Sequence, residues 1–73
     1  MREPDSVTQL RILVARRAWL DMAIEQRGDP RGHYMRESAA LTWALELLES
    51  YGHADEVEQA RELVAKRPPW IPR

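Results

Sequence analysis

Three glycines and five prolines punctuate this 73-residue chain, and apart from its ends they break it at only two places. Pro4 lies near the start, Gly28, Pro30 and Gly32 form one interior cluster, Gly52 stands alone, and Pro68, Pro69 and Pro72 gather near the other end. Proline removes a backbone donor and clashes inside a helix, while glycine readily takes the left-handed conformation that ends one. The stretches between these residues, 5–27, 33–51 and 53–67, are rich in Ala, Leu, Glu and Arg, which favour helix. The chain is therefore expected to be all-α, with three helices.

The first helix is expected from about Ser6 to Arg27, with Asp5 or Ser6 as its N-cap and Gly28 as its stop. A five-residue loop, Gly28 to Gly32, is short enough to make the next helix an antiparallel neighbour. That second helix starts near His33 or Tyr34 and runs to Tyr51, where Gly52 closes it. The third is short, from about Ala54 to Arg67. Either Asp55 with Glu58, in a capping-box-like arrangement, or His53 begins it. The predicted architecture is an antiparallel helical hairpin plus a short third helix, a three-helix bundle over residues 1–67 followed by a Pro-rich C-terminal tail, 68–73.

A domain this small rarely gains more than about 3–5 kcal/mol from one core, and small domains commonly add disulfides, metals or a partner chain. There is no cysteine, which leaves helix packing or association. The first helix bears on that choice. At 100° per residue, Val7, Leu10, Leu13, Val14, Leu20 and Ile24 fall on one face. A second apolar group, Ile12, Ala15, Trp19, Met22 and Ala23, falls across from it. A helix that is apolar nearly all round is buried on more than one side. The favoured reading is that the second face, with Trp43 of the next helix, meets a second copy of the chain, so that the protein is a homodimer through its first helix. The competing reading has the third helix and the Trp70-Ile71 tail fold back over that face. Arg17 and Asp21, four residues apart inside the main face, are read as a salt bridge within the helix.

In the second helix Tyr34, Leu41, Leu45 and Leu48 line the expected buried stripe. Ala40, Ala44, Leu47 and Tyr51 widen it, and Ser38, Thr42, Glu46 and Glu49 lie opposite. The third helix presents Val57, Ala60, Leu63 and Val64 inward.

Charge and chemistry narrow the function further. Eleven basic residues against 12 acidic argue against a mainly electrostatic partner, because nucleic-acid-binding modules normally carry a basic excess. Arg27, Arg31, His33 and Arg36 nevertheless cluster around the first loop as a possible anionic-partner patch. With no cysteine, no Gly-x-Ser-x-Gly elbow and no Gly-rich phosphate loop, nothing suggests a nucleophile or a nucleotide site. His33 with Glu37, and His53 beside Asp55 and Glu56, fall short of a metal set.

Glu46-Leu47-Leu48-Glu49 is an E-x-x-E on a helix, and it resembles the magnesium-binding motif of all-α nucleotide pyrophosphatases of the MazG type. In that family a second acidic motif follows on a later helix. Here Glu58 and Glu62 are the only counterparts and the E-x-x-D pattern is missing. The tail from Lys66 to Arg73 has the basic-x-x-Pro-x-x-Pro spacing of polyproline II ligands, so Trp70 and Ile71 are either a docking motif or a pin against the helices.

The start of the chain has no apolar segment of the kind that targets secretion, and no run reaches the roughly 18–20 apolar residues of a membrane span. The arginine-rich composition, with Lys66 the single lysine, is expected of a GC-rich genome. The sequence therefore predicts a non-enzymatic, cofactor-free, cytoplasmic protein of a bacterium or phage. Its expected role is a small helical protein–protein interaction module, such as an adaptor, inhibitor or regulatory subunit. The alternative is a nucleic-acid-binding regulator that uses the basic first loop.

Overall fold

The computed structural model describes residues 6–68. They form three helices, α1 (Ser6–Arg27), α2 (His33–Leu48) and α3 (Ala54–Lys66), joined by a loop over 28–32 and a tight corner over Glu49–His53. No strand occurs among the described residues, and no helix there is long and apolar enough to cross a membrane. Asp5, Trp70 and Ile71 lie outside them.

The first connection is held at three points. The Gly28 N–H donates to the Ile24 carbonyl at 3.0 Å, with Gly28 at φ 79°, which ends α1 in the left-handed conformation that glycine favours. The Gly32 N–H donates to the Asp29 carbonyl at 3.1 Å, closing a turn through Pro30. The Asp29 side chain reaches over that turn and accepts the Met35 N–H at 2.9 Å, satisfying a free amide in the first turn of α2.

The second connection is sharper. Tyr51 leaves helical geometry at φ −95°, ψ 19°, and Gly52 follows at φ 97°, ψ 10°. This is why α2 stops at Leu48 rather than at the expected Tyr51. At the start of α3 the His53 imidazole and the Glu56 carboxylate meet at 2.9 Å, so of the two expected starts it is the one at His53 that occurs, with the same three-residue spacing as Asp55–Glu58 but two residues earlier. Arg61 of α3 reaches back to Glu49 at 3.0 Å and braces the corner.

The long first helix is the common support. α2 and α3 both pack along α1 and touch each other only sparingly. Leu10 and Val14 of α1, Leu45 of α2, and Val57, Ala60 and Val64 of α3 form the core, with Leu13, Ala15, Ala18 and Leu48 packed around it. Leu20 and Ala23 are also fully buried, nearer the first loop. Leu63, expected inward on α3, is partly exposed, leaving Val57, Ala60 and Val64 as that helix's inner face.

The inner face of α2 differs from the expected one. Tyr34, Leu41, Leu45 and Leu48 do face inward, but Ala40, Leu47 and Tyr51 are exposed, while Ser38 and Thr42 are half-buried. Local hydrogen bonds explain the rotation. The Ser38 hydroxyl donates to Asp21 of α1 at 2.8 Å, and the Thr42 hydroxyl donates to the Ser38 carbonyl at 2.9 Å. Hydroxyls satisfied in this way can sit against a neighbouring helix at little cost.

Candidate interaction face

Rotating α2 toward Ser38 and Thr42 leaves its opposite side apolar. Met35, Ala39, Trp43 and Leu47 recur at every fourth residue, Tyr51 continues the series in the corner, and all five are exposed. Trp43 is 65% exposed, Met35 61% and Tyr51 76%. Residues four apart form a continuous ridge on a helix, and such ridges are what one helix packs into the grooves of another. Scattered exposed apolar residues are ordinary, whereas a row of large ones along one ridge marks a contact surface.

Arg36 and Glu46 lie beside this ridge, both exposed. Neither side chain makes an ion pair among the described residues.

The six residues expected at an interface divide between the two sides of the structure. Ile12, 64% exposed, and Trp43 are open to solvent. Ala15 packs on the core and Met22 is half-buried. Trp19 is half-buried too, because its ring meets Tyr34 of α2 edge-on, with centroids 5.7 Å apart. Ala23 is fully buried within the chain, so no second chain can reach it. Much of the second apolar face of α1 is thus covered from within, and Tyr34 of α2 is what meets the Trp19 ring.

A polar clasp borders this region. The Arg16 guanidinium donates to Glu37 of α2 at 2.6 and 3.1 Å and lies 4.8 Å from the centre of the Trp19 ring. The hydrogen bonds to Arg16 hold the Glu37 carboxyl below its ordinary range, and the same contact raises Arg16. Ile12 sits one turn before Arg16 on α1, and Ala40 one turn beyond Glu37 on α2, so both fall on the clasp's side of the hairpin.

No protein-family model, curated protein or solved structure matches the chain. The geometry therefore carries the functional argument alone.

Arg27, Arg31, His33 and Arg36 are all exposed around the first loop. Asp29 already occupies the amide at the start of α2, setting a carboxylate where an incoming anion would bind. Of the paired glutamates, Glu49 is engaged by Arg61 and Glu46 points to solvent. Among the described residues no three His, Asp or Glu side chains converge to hold a metal ion.

Arg17 and Asp21 do not pair: Asp21 accepts from Ser38 instead, and the Arg17 Nε is buried without a partner. Arg17 and Asp21 line an open groove between α1 and α3, together with Val14, Ala18, Arg61, Val64, Ala65 and Pro68. The reach of Asp29 over the loop and the outward ridge of α2 both escaped the sequence reading. The four-residue recurrence of Met35, Ala39, Trp43 and Leu47 was the signal available for the ridge.

Proposed function

We propose that the chain is a non-catalytic protein–protein interaction module, of the adaptor, inhibitor or regulatory-subunit kind, acting in the cytoplasm through the outward face of α2. The observation that supports this most is the exposed ridge of Met35, Trp43, Leu47 and Tyr51 on a helix whose other side is already satisfied by α1. An exposed tryptophan in such a row gains more from association than from solvent, since large aromatic residues dominate the energetics of protein interfaces. Self-association belongs to this reading, with its centre on α2 and Ile12 at its margin instead of along the length of α1.

The test compares the immobilised protein with its Trp43→Glu variant in capturing proteins from a cell extract. Circular dichroism confirms that both remain equally helical. Species held by the first and lost by the second support the reading. Identical capture by both, with unchanged self-association, overturns it.

A nucleic-acid reading has one observation in its favour: Arg27, Arg31 and Arg36 are exposed around one loop and make no ion pairs among the described residues. Heparin retention that falls with salt and with Arg31→Ala and Arg36→Ala would support it. The near-neutral charge balance and the carboxylate of Asp29 weigh against it.

A further inference from the structure

The α2 ridge has a property that a surface built for an unrelated partner would not need, namely that it is complementary to itself. A two-fold contact sets each residue against its counterpart from the opposite direction, so bulky groups must meet small ones and charges must meet their opposites. On α2, Arg36 stands five positions before Leu41 and Glu46 five positions after it. Small Ala39 and large Trp43 lie two positions to either side of the same level. Turned end for end about that level, the helix sets Arg36 beside Glu46 and Trp43 over Ala39, each twice. Ala39 and Ala40 let two backbones approach closely where ridges of this spacing cross.

We infer that α2 pairs in antiparallel fashion with the α2 of a second copy of this chain, about a two-fold axis at the level of Leu41, with Trp43 seated on Ala39 and Arg36 bonded to Glu46 across the interface. This rests on the reading of the α2 face as an interaction surface, and it names the partner. The charges belong to the argument because both are unpaired within the chain among the described residues, whereas Glu37 and Glu49 are already taken by Arg16 and Arg61.

Sedimentation equilibrium on the whole chain tests the pairing across a range of concentrations. The protein is expected to form a dimer of twice the 8.5 kDa chain. Arg36→Glu and Glu46→Arg should each weaken the dimer by about tenfold, the size of effect for two charge pairs worth ~0.7 kcal/mol each. Together in one chain they should restore most of the loss. Ala40→Cys supplies a second measurement, because the chain has no cysteine of its own. Mild oxidation should link two copies covalently, and adding Trp43→Glu should prevent it.

A monomer at every concentration overturns the inference. So does a dimer in which the two charge reversals add instead of cancelling. If a monomer still captures another protein through Trp43, the interaction reading survives and only its partner was misassigned. If Trp43→Glu changes neither mass nor capture, both fail.

Discussion

Arg16 reaches from α1 to Glu37 of α2 through two hydrogen bonds, at 2.6 and 3.1 Å, while its guanidinium also rests against the Trp19 ring. One side chain therefore fixes the register of the hairpin and shields the aromatic pair of Trp19 and Tyr34. Both ends of the bridge are close to half exposed, so water and salt weaken it, and its importance is in alignment more than in strength.

The bridge makes stability depend on acid. Because Arg16 lowers the Glu37 carboxyl in the folded state, Glu37 contributes stability above its unfolded value, and that contribution is lost as pH falls through the lowered folded value. Thermal melts across the acidic range should show the midpoint dropping more in the parent protein than in Glu37→Gln. Parallel curves for the two would remove the bridge from the account.

Leu20 is fully buried, and truncating it removes packed side-chain volume and leaves a cavity. Leu20→Ala should cost about 2–5 kcal/mol, enough to unfold much of a domain this small at room temperature. Urea titration followed by circular dichroism measures it, and a loss under about 1 kcal/mol would mean the site collapses freely.

Arg17 invites the opposite change. Its Nε is buried without a hydrogen-bond partner, at a cost of about 1–3 kcal/mol for a donor stripped of water. Arg17→Met keeps the apolar stem and removes that donor, so the melting midpoint should rise, by roughly 4–8 °C for each kcal/mol recovered in a domain of this size. A lower midpoint would mean that the guanidinium is held by water or by an interaction that the packing does not reveal.

Gly52 turns the corner at φ 97°, and nothing lies within 4 Å of where a Cβ would project. The penalty for Gly52→Ala is therefore backbone strain without a clash, about 1–2 kcal/mol, partly offset by a less flexible unfolded chain. Denaturant midpoints for Gly52→Ala and for the more tolerant Gly52→Asn should rank both below the parent, with Asn the milder. Equal midpoints would show that the corner adjusts at no cost.

The breaks between helices were legible because Gly28, Pro30, Gly32 and Gly52 act locally, through their own φ angles and missing donors. The facing of α2 was not. A helical wheel ranks side chains by polarity, so it placed Leu47 and Tyr51 inside and Ser38 and Thr42 outside. It cannot see that Asp21 and a backbone carbonyl satisfy those two hydroxyls, which reverses the ranking. The second apolar face of α1 is hard to read for a related reason. A wheel shows its apolar excess but not that Tyr34 and Arg16 lie against the Trp19 ring from within the hairpin. The surplus apolar surface expected from the sequence does exist, displaced onto the neighbouring helix.

With α2 and α3 leaning on α1 and scarcely on each other, the molecule has a seam. α3 can lift away without parting the hairpin, but only by giving up its packing on Leu10 and Val14 of α1 together with Leu45 and the brace from Arg61 to Glu49. Its amide protons would then exchange with solvent through a cheaper opening than those at the centre of α1, which are released only when the whole structure comes apart. A chain of this size thus carries two thresholds of unfolding, ordered by which helix depends on which.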